Sequence, residues 1–178
     1  MNWDLGLTAH AGPKATRSDP LPGVGPRPAR ALYRPSVGAV HYVPLMATRR
    51  HWVIVASRDH GRRGVHGGFV MANHGKRSPL ARMSPGDGVL IYSPMTTYPH
   101  GEPLRAVTIV GEVTGDEPEP SEVITDGFCR AASLSEIEPL PLEEIREHLP
   151  VSRIRFGFFE LDAVNAEAIW TLVAQRSR

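Results

Sequence analysis

The fold of this chain is decided by the stretch at residues 52–94, which reads WVIVASRDHGRRGVHGGFVMANHGKRSPLARMSPGDGVLIYSP. It opens and closes with runs of β-forming residues, 52–56 and 89–92, and each run stops at a small hydroxyl residue, Ser57 or Ser93. Between the runs lies a segment rich in Arg, His and Gly that is too polar to be core. We expect two neighbouring strands that bring both serines to one rim, with a cationic glycine loop between them, as is typical of a ligand-binding mouth.

The composition is that of one soluble globular domain. The chain has 178 residues, of which 41% are hydrophobic and 22% are charged. Every apolar run is shorter than the roughly 20 residues that span a bilayer, and the N-terminus lacks the apolar segment of a secretory signal. We therefore expect a cytoplasmic protein with no membrane partner. The single cysteine, Cys129, excludes an internal disulfide and is predicted to be a buried, inert thiol.

The net charge of +1 hides a separation of charges along the chain. Residues 49–82 contain eight Lys or Arg against one acid, Asp59, whereas residues 112–147 contain eleven acids against Arg130 and Arg146. This asymmetry predicts either one face that attracts a polyanion and one that repels it, or two unrelated solvated surfaces.

The N-terminal residues 1–45 differ in character from the rest of the chain. They carry seven Pro and five Gly and show no sustained apolar period. Such a segment gains too little from burial to offset its ordering entropy, so we expect a disordered extension. The folded domain is predicted to comprise residues 46–178, and the preceding tract is either a basic tail or sequence upstream of a true start at Met46.

Strands are predicted to outnumber helices in this domain. The predicted strands lie at residues 52–56, 89–92, 104–113 (with a bulge at Gly111), 128–137 and 151–161, where apolar residues alternate. The predicted helical segments lie at residues 59–66, 79–83 (with Ser78 as N-cap), 141–148 and 165–175. Residues 115–127 are acidic and rich in turn-forming residues, and we expect them to form a surface loop. Strands in non-local order predict an α+β fold, a small, curled and partly closed β-barrel with peripheral helices.

Short motifs follow one another over most of residues 50–175. They are W-V-I-V-A-S-R-D-H at 52–60, G-G-F at 67–69, H-G-K at 74–76, P-L-A-R-M at 79–83, G-D at 86–87, Y-S-P at 92–94, V-G-E-V at 110–113 and R-F-G-F-F-E-L at 155–161. In this order the chain resembles the EVE domain, a member of the PUA-like superfamily that also contains the YTH and ASCH domains. Phe158 stands where the family's pattern has His, and residues 1–45 match nothing in the family.

The resemblance implies a nucleic-acid reader rather than a catalyst. EVE domains are similar to YTH domains in accepting one extruded, chemically modified base, such as a modified cytosine. The implied protein is a monomer that binds DNA or RNA and uses no cofactor or metal. A flipped base needs an aromatic or apolar sandwich, hydrogen-bonding groups at its edge, and cations that hold the flanking phosphates.

We assign candidate residues to these three roles. The sandwich candidates are Trp52, Phe69 and Tyr92, although a strand position in the core explains Trp52 equally well. The candidates for the base edge are Ser57, His74 and Ser93. The candidate cations are Arg58, Lys76 and Arg155, together with Arg62, Arg63 and Arg77 as phosphate contacts. A solvated pair is the alternative for Arg62 and Arg63.

Other functions are weaker. ASCH relatives of this fold include enzymes that act on RNA or modified nucleosides, and here Lys76 with Glu102 or Glu112 is the candidate pair for such a hydrolase. The sequence shows no tight acid and base constellation, so we prefer the reader. The spacing of His60, His66, His74 and His100 matches no strong zinc pattern. Gly61, Gly64, Gly67 and Gly68 do not follow a P-loop pattern.

Deletion of residues 1–45 is predicted to leave stability unchanged, because this tract lacks the apolar period from which a core is built. The measurement is the thermal unfolding midpoint of the chain beginning at Met46 against that of the full chain. A fall of several degrees would show that the N-terminal tract packs on the domain.

Overall fold

The computed structural model describes residues 49–176, so the predicted N-terminal extension and Met46 lie outside the described residues. The strands are β1 His51–Val55, β2 Phe69–Val70, β3 Gly88–Met95, β4 Pro103–Val113, β5 Glu119–Pro120, β6 Phe128–Pro141 and β7 Phe158–Leu161. The helices are α1 Arg58–Gly67, α2 Arg77–Leu80, α3 Leu142–Ile145 and α4 Ala163–Arg176, with a 3₁₀ helix at Val151–Phe156.

The described strands form one mixed sheet in the order β2-β6-β4-β3-β1-β7. The short strand β5 pairs with the first two residues of β6. β1 and β3 run parallel, whereas the other pairs are antiparallel. The register shifts twice between β3 and β4 and once between β4 and β6. Such irregularities increase the local twist and bend a sheet. The predicted α+β architecture, a curled and partly closed sheet with peripheral helices, is confirmed.

The core lies on both faces of the central strands. Val53, Leu90 and Val107 face the layer formed with α3 and α4, and Ile54, Ile91 and Ile109 face the opposite layer. Strands buried on both faces read as continuous apolar runs, which is why residues 52–56 and 89–92 show no alternation.

Trp52 is a core residue. Its side chain is fully buried and stacks on Phe158, with ring centres 4.8 Å apart and planes 11° from parallel. The indole Nε1 donates a hydrogen bond of 2.7 Å to Asp87 Oδ2, and the Ser84 backbone N–H donates to the same oxygen at 2.8 Å. Phe158, where the family's pattern has His, therefore fills the core instead of contributing a polar group to a site.

Four local predictions are wrong. Ser78 is not an N-cap, because α2 begins at Arg77 and Lys76 holds the N-cap position. Cys129 is half-buried, whereas a buried thiol was predicted. Gly111 is not a bulge, since it pairs in register with both Val89 and Leu134. A Cβ there would lie 2.1 Å from the Ser133 carbonyl oxygen, so the residue allows two strands to approach closely. Residues 151–161 do not form one strand, because the left-handed φ of 75° at Gly157 ends the 3₁₀ helix before β7 begins.

The charged segments pair with each other in space. Six of the eight cations of residues 49–82 form ion pairs within 4.0 Å, namely Arg49, Arg50, Arg58, Arg62, Arg63 and Arg77. Four of these pairs join the cationic segment to acids of residues 112–147, at Glu112, Glu117 and the doubly bonded Glu136. The two segments therefore lie partly against each other, so neither of the alternatives left open by the sequence, opposed faces or two unrelated solvated surfaces, describes them.

Removing the carboxylate of Asp87, which accepts the hydrogen bond of the Trp52 indole, should destabilise the fold. Asp87→Ala leaves the buried indole N–H and the Ser84 N–H without this oxygen, so we expect a loss of about 1–3 kcal/mol in the free energy of unfolding. Asp87→Asn keeps an oxygen at the same place and should lose less. Chemical denaturation measures both values, and equal stability of Asp87→Ala and the wild type would contradict the role assigned to this bond.

Candidate functional site

A cavity of about 440 Å³ opens where β1 and β3 end. Because the two strands are parallel, their carboxyl ends lie at the same edge, and the Ala56 N–H extends the pairing by donating to the Tyr92 carbonyl at 3.1 Å. Ser57 after β1 and Pro94 within β3 both line the cavity. The expectation that these two strands are neighbours is confirmed, and the cavity is our candidate site.

Helix α1 forms one wall of the cavity, and its glycines place it close to the sheet. A Cβ at Gly61 would lie 2.6 Å from Ile109 Cδ1, and a Cβ at Gly64 would lie 2.5 Å from the Phe69 carbonyl oxygen. The helical segment predicted at residues 59–66 is present as a ten-residue helix that takes up much of the predicted glycine loop, and its Gly61 and Gly64 face the sheet. This packing leaves the polar side chains of Asp59 and His60 at the cavity.

The loop between β2 and α2 forms a second polar wall. Asn73, His74 and Gly75 have φ values of 48°, 60° and 78°, so three successive residues are left-handed. The turn is held by the Gly75 N–H, which donates to the Ala72 carbonyl at 3.1 Å, and by the Gly75 carbonyl, which accepts from the Phe128 N–H at 2.8 Å. Non-glycine residues rarely adopt this conformation unless the surroundings impose it, and such positions concentrate at binding sites.

The remaining lining is apolar. It comes from the end of β1, from the residue after β2, from the end of β3 and the loop that follows, and from the loop before β6, through Val55, Met71, Pro94, Met95, Tyr98 and Ile124. Tyr98 is 74% exposed and so presents its ring to whatever enters. The cavity thus combines one apolar side with two hydrogen-bonding walls.

The polar wall carries a carboxylate and a neutral imidazole at pH 7. Burial raises the pKa of Asp59, but hydrogen bonds from Ser57 and the His60 backbone, with the charge of Arg63, outweigh burial and hold it below its usual range. Burial and then Arg63 lower the pKa of His60, against the opposing effect of Asp59. Asp59 Oδ1 is buried and has no hydrogen-bond partner among residues 49–176.

Three of the predicted site residues line this cavity, namely Ser57, Arg63 and His74. Three others lie in the protein interior: Trp52 under Asp87, Tyr92 at 3% exposure, and Ser93, whose hydroxyl bonds Thr108 Oγ1 at 2.8 Å. The apolar run around them gave no sign of which residues face the opening, and the observed register turns these three inward.

Phe69 also lies away from the candidate site. It begins β2, pairs with Ala131 and lines a void of about 10 Å³ beneath α1. Its ring occupies the space beside Gly67, where an added Cβ would lie 2.4 Å from the ring edge. Phe69 therefore packs against the C-terminal end of α1 and does not line the candidate cavity.

The predicted cations have different partners. Arg58 and Arg62 both contact Glu136, at 2.6 and 2.8 Å, and Arg77 lies 3.6 Å from Glu117. Lys76 and Arg155 are exposed, and neither has an ion-pair partner among the described residues.

Sequence reasoning missed several lining residues. Asn73 and Gly157 hold left-handed backbone, Asp59 lies in the first turn of helix α1, and Met95, Tyr98 and Ile124 lie in or beside loops. An Asn-His-Gly tripeptide is a turn signal that could have pointed to Asn73. No local pattern identifies the apolar members, because three separate loops bring them together.

A second cavity, of about 510 Å³, lies between residues 146–153 and 160–165. It is larger, but none of the predicted site residues lines it. Within residues 49–176, no group of three or more His, Cys, Asp or Glu side chains could hold a metal ion. In the same range, no helix has the length and apolarity to cross a membrane.

Protonation of His60 should reduce stability at mildly acidic pH. Because its folded-state pKa is lowered, the unfolded chain binds this proton first as the pH falls below about 6.5, and stability falls until the folded-state pKa is passed. The unfolding midpoint of His60→Gln should therefore depend less on pH between about 7 and 5 than that of the wild type. His66→Gln, on the exposed side of the same helix, is the control, and identical pH profiles of His60→Gln and wild type would contradict the prediction.

Comparisons with known proteins bear on this chain's family. Residues 50–172 match the family model of the EVE domain. A UPF0310 protein of Mycolicibacterium vanbaalenii is 39% identical over 129 residues, covering 67% of this chain and 89% of the relative. The solved YTH domain of the Zygosaccharomyces rouxii MRB1 protein, in complex with N6-methyladenosine RNA, has a TM-score of 0.53 at 12% identity and covers 71% of this chain and 85% of its own. The Pho92 YTH domain in complex with m6A has a TM-score of 0.50 at 16% identity, and the match covers 70% of this chain and 83% of the Pho92 chain. The YTH likenesses concern the fold alone, whereas the family match spans most of the chain, and this protein belongs to the EVE domain family.

Proposed function

We propose that this protein is a nucleic-acid reader that holds one extruded, modified base in the cavity at the ends of β1 and β3. The observation that carries the proposal is the cavity's mixed lining, with an apolar side that ends in Tyr98 and polar walls that include Asp59, His60 and Asn73. Its volume of about 440 Å³ falls in the range of about 300–1,000 Å³ that is typical of small-ligand sites. That volume suits a single base and is too small for a run of nucleotides.

The lining chemistry supports a base that offers a hydrogen-bond donor. Asp59 is ionised at pH 7 and therefore acts only as an acceptor, and a neutral His60 lies beside it. The exocyclic amino groups of cytosine and adenine, and of their methylated forms, are donors. Two solved proteins of the same fold are complexes with N6-methyladenosine, a single modified base, which agrees with this use of the cavity. The ligand that we propose is a modified cytosine or a similar modified base with an exocyclic amino group.

The phosphates that flank the base are expected to meet Arg63, Lys76 and Arg155. Arg63 lines the cavity and is more than half exposed, with its Nη2 3.4 Å from Asp59 Oδ2. Lys76 follows Gly75, a lining residue. Arg58 and Arg62 would first have to leave Glu136, so they are weaker candidates than the sequence indicated.

The alternative is a hydrolase that uses Lys76 with Glu102 or Glu112, and no contact in the structure favours it. None of the three side chains lines the cavity. Glu112 pairs with Arg49 at 3.4 Å and lies opposite Gly88, at the far end of β3 from the cavity. Incubation of the protein with modified RNA and nucleosides, followed by product analysis, tests this alternative.

The proposal is tested by equilibrium binding to short oligonucleotides with either sugar. The panel holds 5-methylcytosine, N6-methyladenine, or the unmodified base at a central position. We expect tighter binding to one modified strand than to its plain counterpart, because only the preferred base gains by entering the cavity. Equal affinity for every member would contradict a reader of modified bases.

Tyr98→Ala should weaken binding to the preferred strand without unfolding the protein. Loss of one aromatic stacking partner costs about 1–3 kcal/mol, which is roughly tenfold to more than a hundredfold in affinity. The melting temperature should change little, because Tyr98 is 74% exposed. Val164→Ala, at a site that is 81% exposed on α4, is the matched control, and an equal effect of both substitutions would contradict the assignment of Tyr98.

A further inference from the structure

An exposed pair of a cation and an aromatic ring stands beside the candidate site. Phe156 is 56% exposed, although Phe158 and Phe159 in the same short run are 6% exposed. The guanidinium carbon of Arg155 lies 4.9 Å from the centre of the Phe156 ring. Folding does not account for this ring, because most of its apolar surface stays in water.

The backbone fixes the place of Phe156 at the edge of the cavity. The next residue, Gly157, lines the cavity, and its carbonyl accepts a hydrogen bond of 2.8 Å from the Val55 N–H at the end of β1. A side chain at Gly157 would meet Asn73, since a Cβ there lies 2.4 Å from Asn73 Oδ1. Phe156 therefore directly precedes a residue of the cavity wall, and that residue is a glycine.

Other exposed apolar residues lie in the segments that line the same cavity. Five large hydrophobic residues are exposed in the described part of the chain. Tyr98 lines the cavity itself, and Val123 and Phe156 each adjoin a lining residue, Ile124 and Gly157. Scattered exposed residues need no explanation, but three of five in or next to the segments that line one cavity suggest a contact surface there.

The charges around this surface select the kind of partner. Lys76 follows the lining residue Gly75, Arg155 lies two positions before the lining residue Gly157, and neither cation has an ion-pair partner within residues 49–176. Arg58 and Arg62, by contrast, share the carboxylate of Glu136. Exposed rings combined with free cations suit a nucleic-acid strand, whose bases stack while its phosphates meet the positive charges.

We propose that Arg155 and Phe156 form a stacking platform for the nucleotide next to the extruded base, so that the partner is single-stranded. This inference rests on the proposed function. In a duplex the neighbouring base remains paired and stacked within the helix, and its ring face is not free to cover Phe156. A single strand leaves that face free, and Arg155 can contact the adjoining phosphate.

The test separates the platform from the cavity by ligand length. The probes are the 5′-monophosphates of 5-methylcytidine and N6-methyladenosine, five-nucleotide single strands with the same central bases, and the corresponding duplexes. We expect Phe156→Ala to weaken single-strand binding by about tenfold or more and to change mononucleotide binding by less than about twofold. Phe156→Tyr keeps a ring and should bind as the wild type does.

Two further variants complete the design. Val151→Ala removes an exposed apolar side chain from the same 3₁₀ helix and should leave all affinities unchanged. Arg155→Gln should weaken the single strand and reduce the log–log salt slope by about 0.7, the value for one phosphate contact on a single strand. If Phe156→Ala lowers the melting temperature, the platform is judged from the binding and the salt dependence of Arg155→Gln alone.

Each contrary outcome identifies what fails. If the wild type binds both probes and Phe156→Ala has no effect, or weakens mononucleotide and strand equally, the platform is overturned and the reader stands. Duplex binding as tight as single-strand binding also overturns it, as does a concentration-dependent dimer that Phe156→Ala abolishes. If the wild type binds no probe or ignores modification, the proposed function fails and the platform fails with it.

Discussion

The parallel pairing of β1 with β3 is the constraint on which the rest of the structure depends. Both strands are buried on two faces, so their register is specified by the two core layers around Val53 and Ile54. A parallel pair puts the two carboxyl ends side by side, and the chain must leave both at the same edge. Helix α1 follows β1 there, the loop with Tyr98 follows β3, and the cavity is the space between them.

The sequence predicted the strands and the edge at which they end, but not the side chains that face the cavity. Trp52, Tyr92 and Ser93 were assigned to the site because they are aromatic or polar, yet the observed register buries all three. In an apolar run buried on both faces, no periodicity marks one face as the outer one. Neighbouring strands decide it, and a single run carries no information about them.

Helix α1 was predicted as a loop with a short helical turn because glycine disfavours helix and polar residues disfavour core. In the structure Gly61 and Gly64 are useful for packing, since any larger residue would strike Ile109 or the Phe69 backbone. The ion pairs of the cationic segment could not be predicted for a related reason. Glu136 binds Arg58 and Arg62 from 74 or more positions away in sequence. Such long-range contacts override local propensity and one-dimensional charge counts, so the cationic segment is less free than its composition indicates.

Gly157 connects the cavity to the proposed platform. Its left-handed φ ends the 3₁₀ helix, its carbonyl accepts a hydrogen bond from β1, and its missing side chain makes room for the neighbouring Asn73, which also has a left-handed backbone. Any side chain at this position would meet Asn73 and would also strain the backbone that presents Phe156. The cavity wall and the exposed ring of Phe156 therefore both depend on Gly157. A nucleic-acid strand that reached both would contact this short segment of backbone with two adjacent nucleotides.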